Sequence, residues 1–201
     1  MSSTDTPRVE DYSHLSDRGQ RLVREFRAQV VALVVQAAPT RLLEVGCGQG
    51  WLLRDIAAAL PDIRLTGIDI RPEAIEFARS LVPDADLRVV DAGSLPFSDH
   101  EFDLVVCSEV LEHVDDPKAV LREIDRVSRG RSVVSVPDEP LFWTANLLRG
   151  KYLSTWGNCP GHIHHWSRRG LERLLRSGGG AVNVSRSVPW LIAKVDRDAR
   201  N

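Results

Sequence analysis

One stretch constrains this chain more than any other: Leu42-Leu43-Glu44-Val45-Gly46-Cys47-Gly48-Gln49-Gly50, an apolar run too short for a helix that empties into glycines at every second position. It reads as a buried strand followed by a ligand-binding turn. Glycine has no Cβ, so Gly46, Gly48 and Gly50 permit positive φ and let a ligand approach the main chain closely. The helix that follows, over about 49–60, points unpaired amide N–H groups at that ligand. A strand can end in a glycine-rich turn for structural reasons alone. Three spaced glycines with Glu44 two residues ahead form a more particular pattern.

Length and charge bound what surrounds this turn. At 201 residues with 43% hydrophobic content, the chain buries roughly 70% of the surface its unfolded form exposes, and one domain is the expectation. A net charge of −2 argues against a protein that coats nucleic acid nonspecifically. The charge is uneven, with 10 Lys/Arg against 3 Asp/Glu from position 141 onward and 16 against 25 before it. No apolar run reaches the ~20 residues that span a bilayer, and the first residues lack a basic, apolar signal, so a soluble cytoplasmic protein is expected. Cys47, Cys107 and Cys159 offer no disulfide framework.

Two cofactor classes use such a turn. A dinucleotide fold wants Gly-x-Gly-x-x-Gly, whose third glycine lets the helix pack close to the strand; counted from Gly46 and Gly48, Trp51 stands at that place. A nicotinamide-dependent oxidoreductase is therefore the second reading. The spacing Glu44-x-Gly46-x-Gly48-x-Gly50 instead resembles the first motif of the class I S-adenosylmethionine-dependent methyltransferases of small-molecule type. The resemblance implies S-adenosylmethionine as cofactor, S-adenosylhomocysteine as product, and Glu44, Gly46, Cys47, Gly48 and Gly50 beside the cofactor.

The chain sustains this resemblance over about 40–137. Before it, Asp17 opens a helix with apolar residues at helical spacing, from Leu22 to Val34, that covers one side of a sheet. Tyr12 and His14 precede it, where a leader could fold over the cofactor. Residues 63–69 read as a second strand. Asp69, followed by Ile70, lies about twenty residues past the glycine turn, the offset at which a strand-end carboxylate accepts ribose hydroxyls. A helix over 71–82 opens at Pro72, and a strand over 87–90 stops at Asp91-Ala92-Gly93. In the family, residues at the places of Asp91 and Ala92 meet the adenine amino group and a ring nitrogen.

Residues 104–107 are wholly apolar, as suits a central parallel strand buried on both faces. The stretch from Leu95 to His113 resembles the family's fourth-strand signature, which puts Ser108 beside the methionine part of the cofactor. His113 is a candidate base, although a histidine in such a turn commonly packs and bonds the backbone. A helix over 116–127 and a strand over 132–136 follow.

Residues 138–166 differ in character, with Trp143, Tyr152, Trp156, His162, His164, His165 and Trp166 among glycines. After the fifth strand they lie at the carboxyl edge of the sheet, where open α/β folds bind ligands. Trp143, Tyr152, Trp156, His162 and Trp166 are read as substrate contacts, and His164 or His165 as the base in preference to His113. A small core of the cap's own aromatics is the competing explanation. Cys159, His162, His164 and His165 match no common structural zinc spacing, so no metal is expected. Ser167 reads as an N-cap, with Trp166 and Leu171 as a hydrophobic staple. A helix over 168–176 and strands over 181–188 and 190–195 complete the chain.

The expected fold is α/β, a doubly wound, mostly parallel seven-stranded sheet with an antiparallel final strand. One domain over 1–201 divides into a cover (1–38), a cofactor core (40–137), a substrate cap (138–166) and a final helix and strand pair (167–201). The resemblance implies methyl transfer to oxygen or nitrogen of a small molecule, and the basic C-terminal third points to an anionic acceptor. A cofactor-binding protein without catalysis is a further alternative. Nucleic-acid and membrane partners are not expected; the protein is expected to be a monomer or homodimer. Where base-methylating relatives carry Asn/Asp-Pro-Pro-aromatic, this chain reads Ser108-Glu109-Val110-Leu111.

Overall fold

Alternate residues of the central strands face opposite layers, and the sequence supplies both layers with apolar side chains. The computed structural model describes residues 16–139, 141 and 162–197. Helices α1 (Asp17–Ala37), α2 (Trp51–Ala59), α3 (Pro72–Leu81), α4 (Pro117–Val127) and α5 (Arg168–Arg176) surround strands β1 (Arg41–Val45), β2 (Arg64–Asp69), β3 (Asp86–Val89), β4 (Leu104–Ser108), β5 (Arg131–Pro137), β6 (Ala181–Ser187) and β7 (Trp190–Asp196). Leu42, Leu104 and Val106 join α1, α2 and α3 in one core. Leu43, Val45, Val105 and Cys107 join α4 and α5 in the other. Strands buried on both faces need such near-continuous apolar runs.

The strand order is β3-β2-β1-β4-β5-β7-β6, parallel up to β5, with β7 antiparallel to both β5 and β6. The expected sheet is thus observed. The order reverses between β1 and β4, and in open α/β sheets the crevice at the carboxyl ends of such strands is where ligands bind. Among the described residues no helix is long and apolar enough to cross a membrane.

Local chemistry corrects some boundaries. The cap of α1 is Ser16, whose Oγ accepts the Gly19 N–H at 3.3 Å, and Asp17 is already in the first turn. Helix α2 starts at Trp51, two residues later than expected, because Gly48 and Gly50 hold positive φ. Pro137 still belongs to β5, opposite Trp190; its missing N–H does not break the register. Ser167 caps its helix as expected, Asp116 is the N-cap of α4 instead of its first helical residue, and Trp166 packs on the core that contains Leu171.

Candidate cofactor and acceptor site

Gly46, Gly48 and Gly50 have φ of 73°, 52° and 81°, the left-handed region that side chains disfavour. The Gly46 position is also closed by packing: a Cβ there would collide with the Val110 side chain. This contact sets the loop after β4 directly against the glycine turn. Gly50 caps α2 without a side-chain acceptor, so the first N–H groups of that helix face the crevice end of β1 with no side-chain cap, as an anionic or polar ligand requires.

Asp69 ends β2, 7% exposed. Its Oδ2 accepts the Gly48 N–H at 2.9 Å and its Oδ1 accepts the Arg71 N–H at 2.9 Å. The Arg71 guanidinium reaches both oxygens, at 3.1 and 3.3 Å, and lies over the Gly48 Cα face. Sequence reading missed Arg71. Its position two residues after a strand-end acid was the available signal.

The remaining cofactor candidates lie on β1, at the end of β4 or in the loops after β1, β2 and β3. Ile70 is 65% exposed beside Asp69, an apolar surface suited to a flat ring. Asp91 is exposed and accepts the Gly93 N–H at 2.8 Å through Oδ1, with half-buried Ala92 next to it. Ser108 ends β4, and its Oγ lies 2.9 Å from Ser135 Oγ on β5. Glu44 is buried. The Cys47 side chain is also buried, against the core side of Gly67. Burial, then the nearby Glu44 and Asp69 carboxylates, push its thiol well above the ordinary range, so only the Cys47 main chain suits a ligand. Positive-φ glycines, an α2 start without a side-chain cap, exposed Ile70 and the carboxylates of Asp69 and Asp91 fit a nucleoside-bearing cofactor.

A second cluster lies beyond β4 and β5. His162 Nδ1 is 2.7 Å from Glu139 Oε1, and both side chains are buried. His165 Nδ1 is 3.7 Å from the same oxygen and half exposed. The rings of His113 and His162 meet edge to face at 4.9 Å. Glu112 is fully buried and its carbonyl accepts the N–H groups of Ile163 and His164 at 2.9 and 3.3 Å. Glu139 donates its own N–H to the Trp166 carbonyl at 3.1 Å. The segment 162–166 is thereby strapped across the ends of β4 and β5. His164 packs near Trp166, rings 5.8 Å apart.

Of the histidine candidates, His113, His162 and His165 are brought together and His164 turns toward Trp166. Glu112 and Glu139 were missed, although acids at the carboxyl ends of central parallel strands are a usable signal. Glu109 was missed as well: with φ of 58°, it accepts the Trp190 indole N–H at 2.8 Å and the Ser135 hydroxyl at 3.2 Å. Trp143, Tyr152, Trp156, Cys159, Tyr12 and His14 lie outside the described residues.

Comparison with known proteins agrees with this geometry. Residues 43–136 match the family model described as a methyltransferase domain. A demethylmenaquinone methyltransferase of Thermotoga maritima is 30% identical over 136 residues, covering 66% of this chain and 59% of that protein. A malonyl-[acyl-carrier protein] O-methyltransferase of Hahella chejuensis is 34% identical over 116 residues, covering 56% and 42%. The chain thus spans about half the length of these curated relatives. Magnesium protoporphyrin IX methyltransferase of Synechocystis PCC 6803, solved with bound S-adenosylhomocysteine, shares the fold with a TM-score of 0.69 at 18% identity, over 94% of this chain and 91% of that one. These matches, over residues 43–136 with the glycine turn, Asp69 and Ser108, support a class I S-adenosylmethionine-dependent methyltransferase domain.

Proposed function

We propose that this protein methylates an oxygen or nitrogen of a small-molecule acceptor. One observation carries the reading: the positive-φ turn Gly46-Cys47-Gly48-Gln49-Gly50 sits at the switch point between β1 and β4, latched to Asp69 through the Gly48 N–H. S-adenosylmethionine, when bound, supplies an electrophilic methyl group on sulfur. The chain's own work is then orientation and proton removal.

In this reading the glycine turn, Asp69, Ile70, Asp91 and Ala92 hold the nucleoside, and Ser108 orients the methionine portion. The strap 162–166 brings imidazoles to the same sheet edge, where an acceptor hydroxyl or amine must lose a proton. Histidine, with an ordinary pKa of about 6.5, suits that step. His165 is the candidate base because it is the exposed imidazole beside Glu139.

The anionic acceptor has narrower support than the charge count suggests. In the basic C-terminal third, Arg176 pairs with Glu172, Arg186 with Asp138 and Arg197 with Asp125, at 2.6–2.8 Å. That preference then rests on the other basic residues of this third, among them Arg149 and Lys151, which lie outside the described residues.

Titration calorimetry with S-adenosylhomocysteine and with NAD tests the cofactor assignment. Methyl transfer from isotope-labelled S-adenosylmethionine to a fractionated cell extract tests the reaction. Tight S-adenosylhomocysteine binding with label incorporated into a small molecule is expected. Tighter NAD binding would overturn the proposal, and binding without incorporation would leave a cofactor-binding protein without catalysis.

A further inference from the structure

We infer that Glu112, His113 and His162 bind a divalent transition-metal ion beside the acceptor site, with Glu139 holding His162 in place. One ligand atom from each of the three lies within 4.8 Å of the others. Ligands of a single ion at about 2.0–2.2 Å sit roughly 3–3.5 Å apart, a closure that small side-chain rotations supply. Two imidazoles and a carboxylate suit a transition metal better than magnesium or calcium, which favour all-oxygen shells.

A second observation points the same way. Metal-bound histidines characteristically give their other ring nitrogen to a carboxylate, which fixes ring orientation and tautomer. Glu139 stands in that relation to His162, with Oε1 2.7 Å from Nδ1, and assigns Nε2 to the ion. Glu139 is 1% exposed, and its Oε2 has no hydrogen-bond partner among the described residues. A buried carboxylate with one oxygen unmatched is costly without a nearby positive charge. An ion on His162 supplies that charge.

The placement names an acceptor class, and this step rests on the methyl-transfer reading. Val110, two residues before Glu112, packs on Gly46 of the cofactor turn, so the cluster and the turn share one loop. An ion there acts as a Lewis acid on an acceptor hydroxyl and lowers the pH at which it ionises. The hydroxyl proton passes to solvent through His165. The oxygen then forms the new C–O bond to the methyl carbon as the C–S pair returns to sulfur. Hydroxyl acceptors, phenols above all, are favoured over amines.

The test uses tag-free, chelator-treated protein titrated with Zn²⁺ by calorimetry, and with Co²⁺ by visible absorption. One equivalent of Zn²⁺ is expected, with ligand-field bands from bound Co²⁺. His113→Ala and His162→Ala should each weaken Zn²⁺ at least a hundredfold, and Glu139→Gln roughly 10–100-fold. His113 is exposed, so its removal leaves the core intact; unchanged S-adenosylhomocysteine affinity checks this. No stoichiometric Zn²⁺, or full affinity in His113→Ala, overturns the site. Failure of the parent protein to bind S-adenosylhomocysteine while Zn²⁺ binds would overturn the methyl-transfer reading and leave the metal site standing.

Discussion

The Asp69 carboxylate accepts the Gly48 N–H at 2.9 Å and so ties the end of β2 to the turn after β1. The same carboxylate takes the Arg71 guanidinium on both oxygens. A carboxylate offers about four acceptor positions, and Gly48 with Arg71 fills them. Ribose hydroxyls can then reach Asp69 only as the Arg71 side chain gives way.

Two variants separate these roles. Asp69→Ala should weaken S-adenosylhomocysteine at least tenfold, since charge-assisted hydrogen bonds contribute about 1.5–3 kcal/mol each. Arg71→Ala should bind it within threefold of the parent or more tightly. Calorimetry reads both. A tenfold loss in Arg71→Ala would make the arginine a cofactor ligand instead of an occupant of the ribose position.

The Gly46 position admits no side chain, because its φ is 73° and Val110 fills the space a Cβ would take. Gly46→Ala should destabilise by about 1–3 kcal/mol through overpacking, with a further contribution of about 1–2 kcal/mol from the left-handed backbone. Because Val110 must move, the loop to Glu112 moves with it. The expected readout is a melting temperature lower by several degrees together with weaker S-adenosylhomocysteine binding. Loss of stability with full affinity would show that the two are uncoupled.

The sheet was legible because its evidence is local. Leu104–Cys107 is apolar on both faces and Leu42–Val45 is interrupted only by the buried Glu44, and glycines or acids mark where each strand stops. The cofactor candidates stood out for the same reason, most of them lying at or just past a strand end. Arg71 and Glu139 escaped because their roles depend on partners that sequence order does not reveal: a guanidinium folded back over a turn 23 residues earlier, and a carboxylate meeting an imidazole 23 residues later. The histidines of the cap were noticed as a group. Their division, with His162 on Glu139 and His164 near Trp166, follows from the strap across Glu112, which no periodicity encodes.

Asp103 makes stability depend on acid. Burial alone would raise its pKa, but the Thr40 hydroxyl, the Arg41 and Thr40 N–H groups and Arg129 outweigh burial and hold it below the ordinary 3.8. A carboxylate whose folded pKa is depressed contributes stability above its unfolded pKa and loses it as pH falls through the folded value. The parent should therefore lose stability below about pH 4. Asp103→Asn should be less stable at pH 7 by about 2–3 kcal/mol, with a smaller further loss in acid. Urea unfolding at pH 7 and pH 3 checks this, and an equal acid loss in both proteins would assign the effect elsewhere.

Three histidines of the strap compete for the proposed role of base. His164 turns its ring toward Trp166, and its Nε2 is buried without a hydrogen-bond partner among the described residues. His162 is buried on Glu139. His165 alone of the three combines a 46% exposed side chain with a carboxylate 3.7 Å away, too far for a hydrogen bond, so its ring is open to an acceptor. With an acceptor in hand, His165→Gln should lower kcat roughly 10²–10⁴-fold with S-adenosylhomocysteine affinity unchanged. The acid limb of the kcat profile, where the parent loses rate as the imidazole protonates, should vanish in the same variant. His164→Gln should change kcat less than tenfold. If the acid limb persists in His165→Gln and disappears in His164→Gln, the roles of the two adjacent histidines are reversed; if it persists in both, the acceptor loses its proton without either.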